Sequence, residues 1–356
     1  MFLSIIIVSW NTRELTLKCL KSIFEFMKNI DFAIYLVDNN SSDGTVDAVE
    51  KSGLPTSSAD RKAGVTNNFV TPNFSSENLH IIANKENVGF ARANNQALIT
   101  LFCHSRPRSK SRAGSSGNLV ELWDPHFRGD DNVGTGLDLS LRSEYVLLLN
   151  PDTEFVDDKI KQAIDFMETH PDIGIFGPKL LNSDMTLQKS CRRFPGILDQ
   201  LFIQLKFYNF FPEKIKATRD YFMLDFDYNE IKEVDQVMGA AMLVRREVIE
   251  KIGLLDENFW AVFEEVDFCK RAKDAGYKIY FYPDWQIIHH KEQSFKQWPG
   301  LRKQINFNRS LYYYFKKHQP FWQLFLLWLV QPINLLLTIV DTIFGIRKKQ
   351  GKSKNL

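Results

Sequence analysis

The sequence predicts an α/β protein built on a mainly parallel, Rossmann-like sheet, and three observations carry that expectation. Several apolar, β-branched runs are continuous rather than alternating, as in strands covered on both faces. They alternate with segments of helical periodicity, which predicts crossover units and a parallel sheet. Three of the runs stop on polar residues, Trp10-Asn11, Asp38-Asn39-Asn40 and Asn150-Pro151-Asp152. In open sheets of this class ligands gather at the carboxyl ends of the strands.

Leu3 to Ser9 is the first apolar run, and Thr12 to Met27 follows with Leu15, Cys19, Leu20, Ile23 and Phe24 at helical spacing. The start, "MFLSIIIVSW", lacks a basic region and a small-residue cleavage site, so it reads as a core strand rather than a signal peptide. "AIYLVDNN" is a second strand, and "SSDGTVDAVEK" supplies capping residues and a helix start. "LHIIAN", the helix "FARANNQALITLF" and the strand "YVLLLN" complete the first half. Two polar, turn-rich stretches interrupt it, residues 52–78 and 104–140, and read as surface loops. In the second half, "IGIFGPKLL" and "QVMGAAMLVRREVIEKIG" read as strand and strand-helix units. "AVFEEVDFCKRAKDAG" reads as a helix with acids in its first turn and Gly276 at its end, and "YKIYFYPDWQIIHH" as a strand pair.

Composition narrows the classes. Hydrophobic residues make up 44% and charged residues 25%, ordinary for a globular chain. A formal net charge of +2 gives no electrostatic case for nucleic acid. The four cysteines are scattered and none forms a CxxC, which argues against a zinc ribbon or disulfide framework and for reduced thiols in the cytosol. No GxGxxG follows the first strand, which argues against a nicotinamide dehydrogenase.

The end of the chain differs. Phe321 to Ile346 is almost wholly apolar, with Lys316-Lys317 before it and "RKKQGKSK" after it. The stretch is long enough to span a bilayer. Basic residues on both flanks oppose placing the two ends on opposite sides. Pro332 near its middle favours a bent hairpin or two helices in the interface. Residues 319–356 therefore read as a membrane-associating tail, peripheral or re-entrant, on the cytoplasmic face. A span and a buried core or oligomer helix are the alternatives.

Taken singly, each polar candidate has a structural reading beside a chemical one. Asp38 and Asp43 in "VDNNSSDGT" cap turns or hold a ligand, and Asn-Pro-Asp at 150–152 is good turn chemistry. Glu264, Glu265 and Asp267 complement a helix dipole or supply a general base. Arg192-Arg193 form a solvated turn or a phosphate site. His289 and His290 are core histidines or metal ligands. Together they permit one reaction. A diphosphate leaving group needs its developing charge neutralised by a hard divalent cation held on carboxylate oxygens, and a hydroxyl acceptor needs a base. An imidazole beside Asp152 suits Mn²⁺ better than Ca²⁺.

"SIIIVSWNT", "LVDNNSSDGT", "NKENVGFARANN", "LLLNPDTE", "GAAMLVRREVIEKIGLLDENF", "FEEVDFCKRAKDAG" and "HHKEQS" resemble, in order, the motifs of family 2 glycosyltransferases. They are most similar to the rhamnosyltransferase-like enzymes of bacterial polysaccharide assembly. The resemblance covers residues 1 to about 310. It implies a GT-A fold, with a nucleotide-sugar-binding half over residues 1–180 and an acceptor-binding half over 181–318. It also implies inverting, metal-dependent transfer from a nucleotide-sugar to a glycan or lipid-linked acceptor. By the same resemblance Ser9, Asn11, Asp38, Asn40, Asp43, Asn87, Gly89, Phe90, Asn94, Asn150 and Asp152 bind the donor. Asp152 and His289, with His290 the near alternative, hold Mn²⁺ or Mg²⁺. Arg192, Arg193, Gly239 and Trp260 serve the acceptor or its phosphate. Glu265 stands where the family has a catalytic Asp, with Glu264 or Asp267 able to share the task. That departure lengthens the arm by ~1.5 Å. Together with the two long loops it leaves room for a different reading, a catalytically weak nucleotide-sugar-binding module that scaffolds a membrane assembly.

Overall fold

Leu3, Ile5 and Ile7 of the first strand enter one apolar cluster, while Ile6 and Val8 enter a second, so both faces of the strand are covered. This is why its sequence shows no polar alternation. In the computed structural model, which describes residues 2–54, 78–104, 143–207, 214–260, 262–290 and 300–344, strand β1 (Phe2–Ser9) lies inside a mixed sheet. It is flanked by β2 (Asp31–Asp38) and β4 (Tyr145–Leu149), both parallel to it, with β3 (Leu79–Ala83) parallel to β2 at the edge.

Helix α1 (Arg13–Phe26) follows β1, α2 (Thr45–Glu50) follows β2 and α3 (Phe90–His104) follows β3. Beyond β4 come β5 (Thr153–Phe155), α4 (Ile160–Thr169), β6 (Ile173–Leu181), α5 (Ile197–Gln204), α6 (Lys216–Tyr221) and β7 (Lys232–Glu233). These are followed by β8 (Ala241–Arg245), α7 (Arg246–Ile252), α8 (Glu264–Asp274), β9 (Lys278–His289), α9 (Gly300–His318) and α10 (Phe321–Phe344). Among the described residues the sheet runs β3-β2-β1-β4-β8-β6-β9-β5, with β7 paired to β9. The parallel expectation holds for β3, β2, β1 and β4. From there β8 enters antiparallel to both β4 and β6, while β6 and β9 are parallel. Strand order reverses between β1 and β4, which places the switch point, where ligands gather, at Ser9 and Asn150.

The 180/181 boundary does not divide this sheet, because β8 and β9 from the second half pair with β4, β5 and β6 from the first. The segment 277–290 is one bulged strand rather than a strand pair: β9 slips register beside Pro178 and Lys179 and continues to His289. Pro332 does not break the tail. It lies inside the single helix α10 at an exposed position, and the helix continues through it to Phe344. The loop stretches 52–78 and 104–140 fall almost wholly outside the described residues, as do Lys291 to Ser294 of the "HHKEQS" segment and the basic "RKKQGKSK".

Candidate active site

At the end of β1 the chain turns through Asn11, which has a positive φ of 52°. Its amide nitrogen donates to Ser41 Oγ at 2.9 Å, and Asn11 Oδ1 accepts from Ser42 N at 2.7 Å. Asp43 caps two helices at once, accepting from Arg13 N at 2.8 Å and Thr45 N at 3.1 Å. Asn11 and Asp43 thus lock the loop after β1 to the loop after β2. Ser9 is buried in a hydroxyl cluster with Thr12 and Thr16, its Oγ 3.1 and 3.0 Å from theirs. Asn40 is exposed in a left-handed conformation. Asp38 is the exposed-ligand candidate of this loop in chemistry rather than in surface. It is buried, its Oδ2 accepts from Ser41 N at 2.9 Å, and its Oδ1 has no hydrogen-bond partner among the described residues. A buried carboxylate oxygen left open in this way calls for a donor group.

Asn39, named in the sequence only as part of a polar strand end, organises the next loop. Its Nδ2 donates to Asn87 Oδ1 at 3.0 Å, and its Oδ1 accepts from Val88 N at 3.0 Å and from Asn84 Nδ2 at 3.2 Å. Gly89 has φ +90°, and a Cβ there would stand 3.1 Å from Trp260 O. Phe90 N donates to that same oxygen at 3.0 Å. Asn94 donates to Phe90 O, and its neighbour Asn95 binds Leu255 through both its amide groups. The Asn87–Asn95 stretch and Trp260 therefore form one seam, which clamps the loop before α8 against the start of α3. The only early signal for Asn39 was its place beside Asp38.

Across the switch point, Asn150 N donates to Ala240 O at 2.9 Å, carrying the β4–β8 pairing one residue past β4. The turn then delivers Asp152, which is buried, against the end of β9. Thr153 pairs with His289 in register, and His290 N donates to Asp152 O at 2.8 Å. The result is that His289 Nε2 lies 3.4 Å from Asp152 Oδ1. On its other side, His289 Nδ1 lies 2.7 Å from Gln188 Oε1. Gln188 Nε2 is already donating to His289 O and to Asn182 Oδ1, so its Oε1 is an acceptor and His289 Nδ1 must carry the proton. That tautomer turns the Nε2 lone pair toward Asp152. His290 is placed differently, with Nε2 on Glu154 and Nδ1 on Ser183, each at 2.7 Å. Both its nitrogens are engaged away from Asp152.

The Asp152–His289 pair fits a divalent cation. The facing atoms, a carboxylate oxygen and an imidazole nitrogen 3.4 Å apart, are donor types that would hold Mn²⁺ or Mg²⁺. No third His, Cys, Asp or Glu joins them to form a metal cluster among the described residues. A set of two protein ligands suits a hard cation that also holds water and substrate phosphates, and not a closed structural zinc site.

Glu264 and Glu265 open α8 directly after Phe263, which is held at φ +74°, an unusual conformation for a bulky residue. Oε2 of each glutamate is buried with no hydrogen-bond partner among the described residues. Burial and the adjacent Glu265 push the Glu264 carboxyl well above the usual range. Burial also raises Glu265, opposed by backbone hydrogen bonds and by the positive charge of Arg192. Two such neighbours cannot both ionise at low cost, and Arg192 favours the negative charge on Glu265. Gly239, next to Ala240, faces this residue: a Cβ at 239 would lie 3.3 Å from Glu265 Cβ. Gly239 and Ala240 thus join the Asn150–Asp152 turn to Glu265, and the glycine provides clearance for the glutamate side chain.

Asp267 sits apart from this chemistry. It is fully buried, with Arg271 at 2.8 Å, Lys317 at 2.8 Å and His318 at 2.7 Å. Burial alone would raise its carboxyl, but hydrogen bonds from His318, Lys317 and Arg271 hold it down at about 2. It ties α8 to the end of α9. Arg192 stacks over Phe222, with 5.4 Å from its Cζ to the ring centroid, and Arg193 is exposed.

The profile of glycosyl transferase family 2 matches residues 4–99, the β1–α3 segment that carries Ser9, Asp38 and the Asn87–Asn95 seam. The chain is 22% identical over 213 residues to an N-acetylglucosaminyl-diphospho-decaprenol L-rhamnosyltransferase of Mycobacterium tuberculosis, covering 60% of this chain and 68% of that protein. It is 26% identical over 158 residues to the rhamnosyltransferase WbbL of Escherichia coli, covering 43% and 55% of the two chains. Against the low-salt glycan biosynthesis hexosyltransferase Agl10 of Haloferax volcanii it is 28% identical over 155 residues, covering 43% and 45%. The solved structure of the mannosyltransferase PcManGT from Pyrobaculum calidifontis with GDP-Man and Mn2+ superposes with a TM-score of 0.48 at 16% identity, over 95% of this chain and 73% of that one. These likenesses identify the chain as a glycosyltransferase, with the family 2 match lying over residues 4–99.

Proposed function

We propose that the chain is an inverting, metal-dependent glycosyltransferase that moves a sugar from a nucleotide-sugar to a hydroxyl of a lipid-linked or glycan acceptor in cell-surface polysaccharide synthesis. The observation that carries this reading is the pairing of His289 Nε2 with Asp152 Oδ1 at 3.4 Å, with His289 fixed from behind by Gln188. Asp152 and His289 would hold Mn²⁺ or Mg²⁺, which when bound offsets the charge that develops on a departing diphosphate. Asp38, with one buried oxygen open, is placed to accept from the nucleotide, and Asn39 keeps its loop in position.

Glu265 is the proposed base. Its raised carboxyl is a stronger proton acceptor than an ordinary glutamate, and its neighbour Glu264 retains a proton where Glu265 is ionised. It would take the acceptor hydroxyl proton as that oxygen forms its bond to the anomeric carbon and the bond to the nucleoside diphosphate breaks on the opposite face. Gly239 and Arg192 act as positioning residues for this carboxylate, and Asp267 holds its helix in place. The mycobacterial relative is named for a lipid-diphosphate acceptor, and the likeness to it is what supports a lipid-linked acceptor here.

The test is to screen nucleotide-sugars for Mn²⁺-dependent hydrolysis and transfer, with Glu265→Gln as control. Donor hydrolysis that requires the metal, together with transfer that fails in the variant, supports the reading. Nucleotide-sugar binding with neither hydrolysis nor transfer by the native chain would leave a binding module instead.

A further inference from the structure

The stretch Phe321–Ile343 is long and apolar enough to cross a bilayer, with a mean hydropathy of 1.8. Its packing is that of a different kind of helix. One face of α10 is fastened to α5 and α9 by buried polar groups. Asn334 is fully buried, donating from Nδ2 to Gln204 O at 2.8 Å and accepting at Oδ1 from Asn308 Nδ2 at 2.9 Å. Gln204 Nε2 closes the triangle on Asn308 Oδ1 at 3.0 Å. Thr338 is buried on the same face, and Leu324 and Leu327 enter a cluster with Tyr314, Phe315, Phe259 and Phe263. Withdrawing α10 to span a bilayer would leave these amide groups without partners, at a cost that follows from their burial.

The opposite face is unpartnered and apolar. Trp322, Phe325, Leu329, Ile333, Leu336, Ile339 and Ile343 recur at intervals of three or four residues and are between 41% and 70% exposed. They form one stripe, which over 22 residues is about 33 Å long. Scattered exposed apolar residues need no explanation, but a continuous stripe of this length does. Arg302, Arg309 and Lys316 are exposed on α9, which packs along α10. An anionic lipid surface complements this positive face of α9, whereas a second copy of the chain repeats its sign. The exposed tryptophan ring is a side chain that favours the headgroup level.

We infer that α10 is a monotopic membrane helix. It lies in the plane of an anionic bilayer leaflet, its outer stripe inserted at the headgroup boundary and its inner face docked on the protein by the Gln204–Asn308–Asn334 triangle. The inference needs no donor or acceptor, so it stands or falls separately from the transfer chemistry.

The experiment is co-sedimentation of the full chain with vesicles of phosphatidylcholine and phosphatidylserine in equal parts, and with pure phosphatidylcholine vesicles. The double variant Leu329→Glu with Leu336→Glu changes two residues that are 58% and 61% exposed, so its fold and thermal midpoint should be retained. The native chain should bind the mixed vesicles and bind pure phosphatidylcholine more weakly. The double variant should partition roughly a hundredfold less, since two side chains lose their apolar insertion. A second variant, Asn334→Leu, removes the docking amide but not the stripe and should still bind. Unchanged binding by the glutamate variant would overturn the inference. So would a native chain that ignores both vesicle types and sediments as a dimer which the same variant dissociates.

Discussion

His289 Nε2 stands 3.4 Å from Asp152 Oδ1 because Thr153 and His289 pair across β5 and β9, while Gln188 fixes the far nitrogen of the ring. Such a partner sets both the tautomer and the angle of a ligating imidazole. Gln188→Leu should therefore raise the Mn²⁺ concentration needed for half-maximal donor hydrolysis by about 10- to 100-fold. Saturating metal should restore most of the rate. A Mn²⁺ titration that superposes on the native curve would show that Gln188 does not act through the ring.

Glu265→Gln should lower transfer by about 10²- to 10⁴-fold, the usual range for loss of a general base. The dissociation constant of the donor, measured by calorimetry, should change little. Because burial raises the Glu265 carboxyl, the acid limb of kcat/KM should lie above the ordinary glutamate value of 4.5. Glu264→Gln should keep most of the activity, since that side chain is already the protonated member of the pair. The stability effect has a definite sign. Between pH 4.5 and the raised values the unfolded chain ionises first, so stability falls as pH rises through that window. Glu264→Gln should flatten that fall in urea-unfolding curves recorded from pH 4 to 8.

Asp267 works in the opposite direction. Its carboxyl is held at about 2, so its contribution to stability is present above the ordinary aspartate value of 3.8 and is lost as pH drops from there toward 2. Asp267→Asn should cost ~3 kcal/mol at neutral pH, because it leaves Arg271, Lys317 and His318 facing a neutral side chain. Urea unfolding at pH 7 measures this. A loss below ~0.5 kcal/mol would mean the pairs are exchanged with solvent.

Gly239→Ala would place a methyl 3.3 Å from Glu265 Cβ. The glutamate must shift by a few tenths of an ångström to accept it, and small displacements of a reacting group are costly. The variant should lose roughly 10-fold or more in kcat with the thermal midpoint nearly unchanged. A native kcat would show that the glutamate tolerates the methyl.

Which of these roles were legible in the sequence follows from the range of the interactions. Strand ends are local features, so Ser9, Asp38 and Asn150 could be placed from hydrophobic pattern and turn chemistry alone. The choice between His289 and His290 could not, because it depends on the register of β5 on β9. Asp267 could not be separated from Glu264 and Glu265 by spacing, since two of the residues that bind it, Lys317 and His318, lie far along the chain at the end of α9. Gln188 gave no signal, being a lone glutamine after a turn. Pro332 suggests a break that the structure lacks, because packing of the inner face of α10, through Leu324, Leu327, Asn334 and Thr338, holds the helix on both sides of it.

The most direct measurement is steady-state donor hydrolysis and transfer by Asp152→Asn beside the native chain, across a full Mn²⁺ titration. The side chain keeps its size and loses its charge. Both activities should fall by about 10²- to 10³-fold or more at every metal concentration. Turnover close to native in saturating Mn²⁺ would contradict the placement of the metal-binding carboxylate at the end of β4.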